Sequence, residues 1–148
     1  AKEYSADKEN IMYFRSPHVE MVNLEVFGDA RGSLIAVEAN QNTPFEIKRM
    51  YYIFDTQPDC IRGKHAHKQL RQLLICMHGS VELHCEYQGT TSVFTLNRRD
   101  QGLLIEGLVW REMCHFSEGT VLVVLADRNY DESDYIRDYD EFHLVEKQ

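Results

Sequence analysis

The sequence predicts an all-β fold, either a closed barrel or two stacked sheets, in a single domain. Three observations carry this. Of 148 residues, 43% are hydrophobic and 27% are charged, the balance of a globular chain with one core. About ten segments with strand-like patterning follow one another from His18 to Ala126, joined by short turns containing Gly, Asn or Asp. No segment of helical length carries an apolar stripe at helical spacing. A chain this rich in strand must bury or pair its edges, which closure or a double sheet achieves.

Taken in order, residues 1–17 carry many charges and little periodicity, and are expected to be a tail or linker remnant ahead of a domain spanning 18–148. Val19, Met21, Leu24 and Val26 begin the first strand run. The turn signal Gly28-Asp29 introduces 31–38 (RGSLIAVE), and 48–55 (KRMYYIFD) is rich in aromatic and branched residues. Further strands are expected at 60–67, 70–78, 80–87, 91–96, 102–106, 109–116 and 120–126. Alternation over 81–86 sends His84 and its Glu neighbours to water. The acidic, aromatic stretch 131–142 (DESDYIRDYDEF) is expected to form a short turn of helix, packed on the barrel by Tyr135, Tyr139 and Phe142.

Sixteen Lys+Arg stand against 24 Asp+Glu, a formal net charge of −8. An acidic surface argues against nucleic acid and against an anionic membrane face. It leaves room for a small anionic ligand where arginines converge. No run approaches ~18 apolar residues, so no membrane span is expected, and no secretion signal is evident. Cys60, Cys76, Cys85 and Cys114 form no CxxC pair and no zinc spacing. They are expected to be free thiols in a reducing cytoplasm. The chain opens at Ala1, which suggests processing or a domain of a longer protein.

The chemistry concentrates at 62–67 (RGKHAH). Alternate strand residues share a face, so His65 and His67 point the same way, as do Gln72, Leu74 and Cys76 in the following strand. Four residues separate His67 from Gln72, and six separate Gln72 from Gly79. That is the first cupin motif, HxH-x4-E-x6-G, with Gln72 in the place of the ligand Glu. The sequence here resembles the cupins, small jelly-roll barrels. Near residue 110, where the second cupin motif supplies a third His, Trp110 is expected at the ligand position. Neither tryptophan nor a neutral amide suits a metal, so no metal and no cofactor are expected.

The segments KRMYYIFD, RGKHAHKQLRQ, WRE..HFS and DESDYIRDYDEF together resemble the nucleotide-sugar 3,4-ketoisomerases, over residues 18–142. The resemblance implies a metal-free double-stranded β-helix that dimerises by exchanging strands. It also implies a dTDP-linked 4-keto-6-deoxyhexose as substrate, in pathways to 3-amino-3,6-dideoxyhexoses of bacterial surface glycans and some antibiotics. Fusion to another sugar-modifying domain is a further expectation. Moving a ketone from C4 to C3 requires a base for the C3 proton, a proton returned at C4, and a donor for the enolate oxygen. His65 is the favoured base, with imidazole close to the required pKa. His67 is the second candidate, and Tyr51, on one face with Arg49 and Ile53, is a donor. Gln72 is expected to bind a sugar hydroxyl or a catalytic His, and Trp110 to stack on sugar or base. Arg31, Arg49, Arg62 and Arg111 are candidate diphosphate ligands; Arg62 needs a bulge at Gly63 to face the site. His18, His78, His84, His115 and His143 are assigned to surface or structural roles. The alternatives are a 3,5-epimerase of the same substrate class, a non-catalytic sugar-nucleotide-binding module and a metal-dependent cupin dioxygenase.

Overall fold

A computed structural model describes residues 14–148. The strands are β1 (His18–Asn23), β2 (Phe27–Asp29), β3 (Gly32–Leu34), β4 (Arg49–Ile53), β5 (Arg62–His67), β6 (Arg71–His78), β7 (Val81–Tyr87), β8 (Thr90–Leu96), β9 (Gln101–Glu106), β10 (Trp110–Cys114), β11 (Val121–Ala126) and β12 (Tyr135–Ile136). A short 3₁₀ turn, Glu132–Asp134, precedes β12, and α1 (Tyr139–Glu146) ends the fold. Asp138 caps α1 by accepting the Glu141 N–H at 3.0 Å.

Two antiparallel five-stranded sheets face each other, ordered β1-β9-β6-β11-β4 and β12-β5-β10-β7-β8. Strand alternation fills the space between them: Leu74 and Cys76 from β6, Leu83 and Cys85 from β7, and Leu122 and Val124 from β11 are all buried in one cluster. The outward Leu73 and Ile75 of β6 are also buried, because the segment 35–47 crosses that face with Ile35, Val37, Phe45 and Ile47. This explains why 31–38 is mostly not strand. Only Gly32–Leu34 is paired, in a hairpin with β2, and Ile35 and Val37 serve as cover.

A third cluster packs Phe142 of α1 and Ile136 of β12 against Ala66, Leu108 and Trp110, with Phe14 at its margin. Of the predicted tail, residues 1–13 lie outside the described residues, but 14–17 belong to the body. The Arg15 N–H donates to Lys68 O at 2.8 Å, its Nε donates to Gln69 O at 3.0 Å, and its carbonyl accepts from Leu108. Gly107 makes this possible, since any Cβ there would collide with the Arg15 and Ser16 carbonyls. The four cysteines are free, with Cys76 and Cys85 buried. No helix among the described residues is long and apolar enough to cross a membrane.

Candidate active site

β5 carries the first two site residues. His65 pairs with Arg111 of β10, but Arg62 pairs with Met113, so β5 holds one extra residue between those pairs. Gly63 sits in that bulge at φ 67°. The expected bulge is therefore present, and Arg62 reaches the same cavity as His65. That cavity, of about 420 Å³, is bounded by Tyr51, His65, Arg49, Arg62, Tyr135 and Arg137. Two larger clefts, of about 750 and 780 Å³, run along the β2–β3 hairpin and contain none of these groups.

His65 faces the cavity, whereas His67 is only 1% exposed and sits behind it. Their rings meet edge to face at 4.6 Å, and Tyr135 contacts both, at 5.0 Å from His65 and 4.3 Å from His67. Tyr135 is placed there because β12 pairs Tyr135 with His67. The buried Asp134 accepts the Gln69 N–H at 2.9 Å and the Leu70 N–H at 3.2 Å, which fixes the β5–β6 turn. Its carboxylate also lies 3.5 Å from His67 Nδ1 and 3.5 Å from Arg128 Nη1.

On the opposite sheet, alternation in β4 turns Arg49, Tyr51 and Ile53 inward and leaves Met50 and Tyr52 outside, as expected. Gln72 of β6 is 2% exposed and joins the two sheets. Its Oε1 accepts from the Arg111 guanidinium, and its Nε2 donates to the Tyr51 hydroxyl at 3.1 Å. A guanidinium can only donate, so it fixes which end of the amide faces Tyr51. With its oxygen already accepting, Tyr51 keeps its own proton for the cavity. Among the described residues Gln72 thus hydrogen-bonds Arg111 and Tyr51 rather than a histidine, and it does not line the cavity, contrary to expectation; it aims Tyr51.

Three further expectations are corrected. Trp110 is not the inward residue of β10. Arg111 and Met113 point inward, and Trp110 points out, 5% exposed beneath α1, with its N–H donating to Glu112 at 3.1 Å. Trp110 is a plug between β10 and α1 rather than a stacking platform. Arg111 is fully buried, bonded to Gln72 and lying near Val109 O, so it is an interior cation rather than a diphosphate ligand at the rim. Arg31 is not brought to the cavity; it lies on the exposed hairpin, where Nη2 binds Asp29 at 2.6 Å. Arg49 and Arg62 do line the cavity. Sequence reasoning missed Arg137, held at the rim by Glu132 through bonds of 2.7 and 2.9 Å and stacked 4.3 Å over Tyr135. The stretch 134–139 (DYIRDY) carries Arg137, although the sequence pattern there points only to packing by its aromatic residues.

The electrostatics are set by these cations. Burial, then Arg111, His67 and Arg137, push the His65 imidazole down to about 2. Burial, Arg111 and Arg49 hold His67 well below its ordinary range. Both rings are neutral bases at physiological pH, and Tyr51, pushed up by burial, is a neutral phenol. As pH falls through about 6.5, the unfolded chain protonates these imidazoles while the folded protein does not. The unfolded state then binds more protons, so stability declines from there towards the His65 value. Thermal melts between about pH 7 and pH 5 should show a weaker acid loss for His65→Asn than for the parent. Parallel slopes would contradict the buried neutral imidazole.

The family model described as FdtA, WxcM-like, C-terminal, matches residues 17–147. The chain belongs to this family. Among FdtA-family relatives, it is 46% identical over 123 residues to the TDP-4-oxo-6-deoxy-alpha-D-glucose-3,4-oxoisomerase of Aneurinibacillus thermoaerophilus, covering 83% of this chain and 88% of that protein. The crystal structure of QdtA, a sugar 3,4-ketoisomerase from Thermoanaerobacterium thermosaccharolyticum in complex with TDP, superposes with a TM-score of 0.85 at 43% identity, over 87% of this chain and 94% of that one. A dTDP-4-dehydrorhamnose 3,5-epimerase from Bacillus anthracis shares only the fold, at TM-score 0.67 and 15% identity over 79% of this chain and 76% of that one. These findings support the ketoisomerase reading over the epimerase alternative and the cupin-type all-β fold.

Proposed function

We propose that this chain moves the ketone of a dTDP-linked 4-keto-6-deoxyhexose from C4 to C3 through an enediolate. The observation that carries the proposal is one cavity with a neutral imidazole on one wall, a pre-aimed phenol on the other and three arginines at its rim. His65 removes the C3 proton, which the neighbouring C4 carbonyl acidifies, exchanges it with solvent and delivers a proton at C4. Tyr51 donates to the C4 oxygen as charge develops there. Arg49, Arg62 and Arg137 take the diphosphate. An imidazole depressed to about 2 is a weak base in the free enzyme. The arriving diphosphate neutralises rim cations, Arg137 among them, and raises the affinity of His65 for a proton when substrate is in place. The free thiols fit a reducing cytoplasm.

Metal has no place in this scheme. The interior positions that would complete a cupin metal site hold a guanidinium, Arg111, and an amide, Gln72. Turnover of dTDP-4-keto-6-deoxyglucose is expected to survive exhaustive EDTA treatment. Loss of turnover that Zn²⁺, Fe²⁺ or Mn²⁺ restores would refute metal independence.

The chain is also proposed to act as a strand-exchanged dimer. The β2–β3 hairpin pairs with neither large sheet, and a lone two-stranded hairpin is marginal in water. It exposes Val26, Phe27 and Leu34, at 48%, 53% and 60%. Sedimentation should give about 35 kDa, twice the 17.4 kDa chain, and Phe27→Asp should shift it towards monomer. A monomeric parent at micromolar concentration would contradict the exchange.

A further inference from the structure

The outer face of the second sheet gathers a separate cluster of metal-type donors, away from His65 and His67. In β7, alternation buries Val81, Leu83 and Cys85 and turns Glu82 and His84 outward. In β10 it turns Glu112 and Cys114 outward. The antiparallel register sets Cys114 opposite Glu82 and Glu112 opposite His84. By alternation, the next residue, His115, belongs to the inner face. Its backbone instead turns left-handed, at φ 53°, a conformation that costs a non-glycine residue roughly 1–2 kcal/mol. The imidazole thereby folds back over Glu82, with Nδ1 against the Glu82 carboxylate and 3.8 Å from Cys114 Sγ. His84 Nε2 approaches the same carboxylate oxygen at 3.3 Å, and Cys114 Sγ lies 3.9 Å from it. All four donor atoms lie within 4.8 Å of one another.

We propose that Glu82, His84, Cys114 and His115 form a binding site for a borderline dication of the zinc class, on the outside of the barrel and separate from the reaction cavity. Bonds of about 2.0–2.3 Å to N, O and S set tetrahedral edges of roughly 3.3–3.8 Å, close to the separations of His84 from Glu82 (3.3 Å), His115 from Cys114 (3.8 Å) and Cys114 from Glu82 (3.9 Å). One thiolate, one carboxylate and two neutral imidazoles balance a charge of +2. Hard ions such as Mg²⁺ prefer all-oxygen sites and are disfavoured by this set. On binding, Cys114 loses its thiol proton to solvent as the sulfur–metal bond forms, and no electron is transferred. The adjoining cleft of about 380 Å³ brings two further carboxylates, Glu86 and Glu112, and one cation, Lys64, alongside His84. A bound ion would tie β7 to β10 and to the start of the connection that leads into β11.

The test uses the full chain, dialysed against EDTA and titrated with Co²⁺ as the optical probe. One equivalent should produce a thiolate-to-cobalt charge-transfer band in the near ultraviolet and intense tetrahedral absorption in the visible, both displaced by Zn²⁺ but not by Mg²⁺. Cys114→Ser should abolish the charge-transfer band, and His84→Ala and His115→Ala should each weaken binding by about 10–100-fold or more. The double variant His65→Asn, His67→Asn should bind cobalt like the parent. Absence of the band in the parent, its persistence in Cys114→Ser, or its loss in the double histidine variant would each overturn the proposal. Cys114→Ser should turn over sugar nucleotide at the parent rate, and a turnover loss in that variant would overturn the separation of the two sites.

Discussion

His65→Asn is expected to lower isomerisation and solvent exchange at C3 by ~10²–10⁴-fold, the usual cost of losing a positioned base. Binding of the nucleotide sugar should stay near the parent level, because the proposed diphosphate ligands are Arg49, Arg62 and Arg137, which also line the cavity. Asn retains size and a hydrogen-bonding group, and among the described residues no side-chain hydrogen bond of His65 is present whose loss would unfold the site. His67→Asn should be milder in rate, since His67 is buried behind His65 and does not line the cavity. Rates by NMR and affinity by calorimetry separate the two effects. Exchange lost in the His67 variant but kept in the His65 variant would reverse the roles. Exchange kept in both would move the base elsewhere.

Tyr51→Phe is expected to cost ~10²–10³-fold in kcat, the range seen when one donor to a developing oxyanion is removed. The packing consequence is small, because only the hydroxyl goes and the ring still fills its place beside Ile53 and the core. Gln72→Glu is the companion variant. A carboxylate accepts but does not donate, so Tyr51 would turn its proton to residue 72 and away from the substrate. That variant keeps the buried bond to Arg111 and should still lose kcat with little change in KM. Full activity in both would remove Tyr51 from the reaction.

The sequence made the inward sets legible wherever one residue of a strand was securely placed. His65 with His67, Arg49 with Tyr51, and Gln72 with Leu74 and Cys76 all follow from period-two alternation, and all are observed. The error in β10 shows the weakness of the same rule. Anchoring that strand on a motif position put Trp110 inside, and one residue of displacement exchanges every side chain between faces. The apolar series Val109, Met113 on either side of Arg111 was the better anchor, because all three lie on the buried face. The rim was less legible for a different reason. Tyr135 and Arg137 reach the cavity only because β12 pairs with β5, nearly seventy residues back in the chain, and no local pattern encodes that pairing. The outer donor cluster was hidden likewise: its two halves, on β7 and at the end of β10, meet only through strand register.

The position of the ketone in the product distinguishes isomerisation from every alternative. The full chain incubated in D₂O with dTDP-4-keto-6-deoxyglucose, followed by proton NMR before the labile product decays, reads this directly. The expected outcome is a 3-keto product whose C4 has become a carbinol carbon carrying deuterium from solvent, together with loss of the C3 proton signal from remaining substrate. A product that keeps its C4 ketone with inverted C3 or C5 centres, or substrate recovered without exchange at C3, would contradict it.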